Sequence, residues 1–177
     1  SSTAASSNSG SGALIVAGGL GVGGAMNVAS DATINGIRVG KGGGNNVQNT
    51  ALGNNALSAN LTGVANTAVG TSALAVNLGN WNTAVGNGAL GINSTGYANN
   101  AVGNASLFSN TSGTHNSAMG HGALFLNTTG SANVAIGGGA LGNITTGTWN
   151  TAVGGAAGKL KADGAVLTNA QSSTYTG

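Results

Sequence analysis

The chain has 177 residues, of which 35 are glycine, six are aromatic and none is cysteine or proline. Four Lys or Arg against two Asp leave a net charge of +2, which is no nucleic-acid footprint, because that needs a clustered basic face. The absence of cysteine and glutamate, with two aspartates set far apart in the chain, excludes thiol nucleophiles, disulfides, thiolate metal sites and paired carboxylates, so neither an enzyme nor a cofactor is expected.

Residues 1–12 form a Ser/Gly-rich linker. Residues 13–44 form a glycine-rich region of β character, opening on an apolar run whose Leu14, Ile15 and Val16 are predicted to form an assembly strand able to add to a neighbouring sheet. Glycine and asparagine break the apolar stretch 13–28 too often for it to span a bilayer, so no membrane insertion is expected. Further on, Ile34-Asn35-Gly36-Ile37-Arg38-Val39 predicts a hairpin around a type I′ Asn-Gly turn. Two motifs here are decoys. Gly19-Leu20-Gly21-Val22-Gly23-Gly24 has the glycine spacing of a dinucleotide loop but no helix-forming sequence after it. Gly40-Lys41 lacks the rest of a phosphate loop.

Residues 45–158 are dominated by a repeat, Asn-Thr-Ala-Val-Gly-x-x-Ala-Leu-x-x-Asn-x-Thr-Gly-x-x, whose first Asn falls at 49, 66, 82, 99, 116, 133 and 150. The period is 17 residues with one coil of 16, and a fixed period of this kind signals a stacked repeat architecture. All six formal charges (Asp31, Arg38, Lys41, Lys159, Lys161 and Asp163) lie outside the repeats. Glycine at two fixed places in each unit opposes helix and suits tight corners. The unit therefore reads as two short extended segments, Asn-Thr-Ala-Val and Ala-Leu, joined by turns. Strands repeated in register pair with their own copies one coil on, about 4.8 Å along the axis. The expected fold is all-β, a parallel β-solenoid or β-roll of about seven coils.

Two columns are expected to form the core. Position four holds Leu52, Val69, Val85, Val102, Met119, Ile136 and Val153, and position nine holds Leu57, Leu74, Leu90, Leu107, Leu124 and Leu141. On this assignment Val102→Asp would put a charge inside the stack and unfold it. Position three is alanine in every coil from Ala51 to Ala152, which marks a contact with no room for a larger group. Residues 159–177 form an irregular last coil, in which Ser173-Thr174-Tyr175-Thr176-Gly177 resembles the opening of a further unit. The expectation is a piece of a longer polypeptide, with open β edges at both ends of the roll.

The asparagine column that opens each repeat invites a ladder along the axis. Asn60, Asn93, Asn104, Asn110, Asn127 and Asn143 fit the N-glycan acceptor pattern, although turn chemistry accounts for asparagine in these places without it. His115 and His121 fall in different columns and read as surface residues rather than metal ligands. Trp81, Tyr97 and Trp149 stand at the ends of coils as candidate surface or interface aromatics, suited to a subunit contact or to stacking on a sugar.

Gly12-Ala13-Leu14-Ile15-Val16-Ala17-Gly18-Gly19-Leu20-Gly21-Val22-Gly23-Gly24, followed by Ile34-Asn35-Gly36-Ile37-Arg38-Val39-Gly40, resembles segments of bacteriophage tail-fibre and other virion appendage proteins, notably those of cyanobacterial phages. The Asn-Thr-Ala-Val-Gly-x-x-Ala-Leu repeats resemble those that follow in the same proteins. They are also similar to the head repeats of trimeric autotransporter adhesins, whose Ser-Val-Ala-Ile-Gly-x-x-Ala units form a left-handed parallel β-roll. The present unit is longer and carries Thr at its second position. The resemblance implies a structural and adhesive fibre segment of a virion appendage, extracellular or on the virion. It would form a rod by trimerisation or end-to-end stacking, with itself and a host-surface glycan or protein as partners. A bacterial surface adhesin or extracellular filament subunit is the alternative. An ice-binding solenoid is the third reading, which the irregular second column (Thr50, Thr67, Thr83, Asn100, Ser117, Val134, Thr151) disfavours.

Overall fold

The computed structural model describes residues 21–24, 28–159 and 171–177. The candidate assembly strand Leu14, Ile15 and Val16 lies outside these residues, as do Lys161 and Asp163. The described chain is all-β, a parallel β-solenoid. Its ten strands form one sheet in sequence order. A hairpin of β1 (Ala32–Ile34) and β2 (Ile37–Gly40) comes first. Seven rungs follow: β3 (Thr50–Leu52), β4 (Thr67–Val69), β5 (Thr83–Val85), β6 (Asn100–Val102), β7 (Ser117–Met119), β8 (Val134–Ile136) and β9 (Thr151–Val153). They pair parallel and in register, Ala on Ala, as in Ala84 with Ala101. The predicted further unit is present too, because β10 (Thr174–Thr176) pairs with β9 and sets Tyr175 opposite Ala152.

Each rung has one strand, not two. The Ala-Leu segment forms a turn, and its leucines adopt left-handed backbone geometry, with φ from 47° at Leu57 to 52° at Leu124. That conformation costs a leucine about 1 kcal/mol. Full burial of the side chain contributes about 2 kcal/mol, and the backbone stays satisfied, since Leu107 N donates to Ala123 O at 2.9 Å. Tight curvature here lets a 17-residue coil close on itself while pointing its largest side chain at the axis.

The core columns divide. Leu57, Leu74, Leu90, Leu107, Leu124 and Leu141 are buried as expected, together with the alanines of positions three and eight. Position four is not core. Leu52, Val85, Val102, Met119, Ile136 and Val153 are exposed and Val69 is half-buried. Alternation along a strand explains this: positions two and four share one face, and position three has the other. The alanine column therefore takes the interior side, buried on every rung from Ala51 to Ala152. Val102→Asp therefore places its charge on the surface, and the expected unfolding does not follow.

The ends of the roll are covered more than the sequence suggests. The hairpin turns at Asn35 (φ 51°) and Gly36 (φ 81°) as predicted, and β2 lies antiparallel on β3. Asp31 secures it, accepting from Lys41 N at 2.6 Å and Gly42 N at 2.9 Å and pairing with Arg38 at 3.4 Å. Gly42 then passes so close to Leu57 that a Cβ there would lie 2.6 Å from Leu57 Cβ, so its backbone closes the leucine column. At the far end Gly158 stands where the repeat has leucine, and Tyr175 packs against the core from the alanine column.

Two asparagine columns run beside the leucines. In the first, each backbone amide donates to the side-chain oxygen one coil back, as Asn99 N does to Asn82 Oδ1 at 3.0 Å. In the second, Asn77, Asn93, Asn110 and Asn127 each donate Nδ2 to the preceding side-chain oxygen at 2.7–3.2 Å. Both columns meet at one turn carbonyl per coil. Gly96 O accepts from Asn82 at 2.9 Å and from Asn93 at 2.8 Å. The 16-residue coil loses its residue in this turn, where Leu78 alone separates Asn77 from Gly79, and Asn77 still reaches Gly79 O at 2.9 Å.

The second column stops at Ile144, which is fully buried. Asn127 Oδ1 is consequently left buried without a partner, alone in this among the described residues. Ile144→Ala should cost about 3 kcal/mol through the cavity it leaves. Ile144→Asn should cost less despite burying an amide, because its Nδ2 meets the waiting Asn127 Oδ1 and the Gly147 carbonyl. Thermal unfolding of the two variants checks the order, and a lower melting temperature for the asparagine variant would refute the ladder account.

Candidate functional site

The most distinctive surface is the outer face of the parallel sheet. Short triplets with out-in-out alternation put position two and position four side by side on it. Position four gives seven aliphatic side chains in a row from Leu52 to Val153, each in register with the next. At about 4.8 Å per rung the row is about 29 Å long. Met119 is 54% and Val153 47% exposed. Beside it runs the position-two column, where Thr67, Thr83 and Thr151 are half-buried. No formal charge interrupts either column. An apolar row of this length on one sheet face is more than the scattered hydrophobics of an ordinary surface. Sequence reasoning places the same residues in the core and so misses the surface they make.

A second surface carries the aromatics. Trp81, Trp149 and His115 each precede a ladder asparagine and share its left-handed turn, with φ of 57°, 60° and 57°. Trp81 and Tyr97 meet edge to face at 6.5 Å, and Tyr97 meets His115 likewise at 5.2 Å. These three rings form an exposed ridge across consecutive coils. Trp149 stands further along the same column, two coils beyond His115, and is 70% exposed.

A groove lies off the sheet face, lined by Ala105, His121, Gly122, Phe125, Gly139, Gly142, Asn143 and Lys159, with a volume of about 470 Å³. Phe125 stacks on Phe108 at 5.7 Å with 13° between the rings. His115 and His121 thus serve different surfaces, and no group of three or more potential metal ligands occurs among the described residues.

Four acceptor asparagines are closed to modification in the folded chain. Asn60, Asn93, Asn110 and Asn127 are fully buried in the second ladder. Asn104 is exposed, and Asn143 is half-buried because Ile144 takes its expected place in the ladder.

No helix among the described residues is long and apolar enough to cross a membrane. No family model, curated protein or solved structure matches the chain.

Proposed function

We propose that this chain is a structural and adhesive fibre segment, a rod-forming part of a virion appendage, in which copies associate through the outer sheet face. The observation that carries this reading is the outward aliphatic row from Leu52 to Val153. A solenoid whose apolar core has one leucine and two small side chains per coil, yet turns a second aliphatic outward on every rung, gains from having that outer row covered. A second copy covers it economically, since the same row on each chain is self-complementary about a symmetry axis. A bacterial surface adhesin would use the face in the same way. An ice-binding face would also lie here, but Asn100, Ser117 and Val134 break its threonine column.

Val102→Asp tests the assembly. The charge falls near the middle of the row on an exposed position, so the solenoid of a single chain should keep its β-sheet circular dichroism. Association should be lost, because like charges would be buried opposite one another. Sedimentation of the intact chain is expected to show a defined oligomer, and the variant a monomer. A wild-type monomer at micromolar concentration would overturn the proposal.

A further inference from the structure

The groove exposes a missing rung. Position ten of the repeat runs Ser58, Ala75, Gly91, Phe108, Phe125, Gly142 and Lys159 along the axis. Phe108 and Phe125 stack on each other, and the next place, Gly142, has no side chain. Gly139, three positions earlier in the same coil, has none either, and both line the groove. Lys159 closes the far side, two rungs or about 9–10 Å beyond Phe125. That spacing accommodates one ring in van der Waals contact with the Phe125 face, with a cation at its other edge.

We propose that this groove binds the ring of an acidic sugar, a uronate-type residue, as the missing rung of the aromatic stack. The ring's apolar face would pack on Phe125, and its carboxylate would pair with Lys159. Among the described residues of the solenoid Lys159 is the only fixed charge, since no Lys, Arg, Asp or Glu occurs between Lys41 and Lys159. No carboxylate-bearing residue precedes it in the repeats, and Asp163, four residues on, lies outside the described residues. Asn143 donates its Nδ2 to Lys159 O at 3.4 Å, which turns its side chain along the rim and leaves Oδ1 to accept from a sugar hydroxyl. His121 supplies a second polar group on the rim. Hydroxyls at the open side stay hydrated, while a ring with no polar substituents would leave the rim groups unused. The volume lies within the range of small-molecule sites. The site is made of turn residues rather than strand residues, so it stands independently of the assembly proposed above.

The test is titration of the intact chain with glucuronate, glucose and benzoate, following the backbone amides of Gly138, Gly139, Gly142 and Gly155 by NMR. Glucuronate should shift them with a dissociation constant on the order of 1–10 mM. Phe125→Ala should weaken binding about tenfold, and Lys159→Ala about threefold. Gly142→Phe places in the gap the ring that two preceding coils already carry at this position, so it should abolish binding; its Cβ would lie 3.0 Å from Gly139 O, so β-sheet circular dichroism accompanies the titration to show that the coil is kept. No shift with glucuronate overturns the proposal, as does undiminished binding to the Gly142→Phe protein. Glucose binding as tightly would remove the role of Lys159 and overturn the acidic specificity. Benzoate binding more tightly would overturn the sugar in favour of an aromatic acid.

Discussion

Asn99→Asp should destabilise the solenoid by about 4 kcal/mol at neutral pH, the cost of a buried charge facing the wrong partners. Asn99 is fully buried. Its Nδ2 donates to Gly113 O at 2.8 Å and Asn82 Oδ1 at 3.2 Å, while its Oδ1 accepts from Asn116 N at 3.0 Å and Asn116 Nδ2 at 3.1 Å. An aspartate keeps the two acceptances but sets an oxygen against two oxygens. Proton linkage supplies a signature. Burial and these acceptors raise the folded-state pKa of the new carboxyl above its unfolded value of about 3.9. The protonated form, able to donate to Gly113 O, is the tolerated one. Stability should therefore be best below about pH 4 and fall as pH rises through the folded pKa. Asn99→Ala, which leaves neighbouring groups unpaired but adds no charge, should cost about 3 kcal/mol with no such dependence. Equal melting temperatures for the aspartate variant at pH 3 and pH 7 would contradict the ladder geometry.

Gly103→Ala should cost at least about 3 kcal/mol, for two independent reasons. Its φ of 136° lies in a region that is almost closed to residues with a Cβ. An added Cβ would also stand 2.5 Å from Gly120 O on the next rung. Gly122 separates these causes: its φ is 63° and nothing lies within 4 Å of the added Cβ. Gly122→Ala should cost only about 1 kcal/mol. Denaturation midpoints measure both, and a Gly103→Ala protein as stable as the Gly122→Ala protein would refute the close approach between rungs. The other glycine column differs from expectation. Gly63, Gly96 and Gly113 do not have positive φ. They are glycine because the carbonyl of the next coil occupies the space a Cβ needs.

The period, the strand triplet, the Asn-Gly hairpin and the first asparagine ladder are legible in the sequence, because each rests on a local signal repeated at fixed spacing. The facing of position four is legible only if strand parity outranks size. An invariant Ala101 inside commits Val102 to the outside, whatever its hydrophobicity, because apolar residues tend inward but are not bound to. The left-handed leucines are not legible, since no residue preference marks Leu107 for positive φ and burial alone sustains it. Nor is Ile144 recognisable as the end of a ladder: Asn143 beside it imitates the turn asparagine, and only coil alignment shows it to be one place early. The groove needs the same alignment, because Gly142 differs from many other glycines only by following Phe108 and Phe125 in its column.

The two amide columns carry a consequence for the surroundings this solenoid can tolerate. Folds fastened by ion pairs loosen when salt screens them or acid protonates them. Here the fastening between rungs is done by neutral carboxamides and backbone groups. The ionisable side chains from Asn49 to Gly154 (Tyr97, His115 and His121) all sit on the surface. Brine and fresh water find no charge to screen in these contacts between rungs, and mild acid meets ionisable groups on the surface alone.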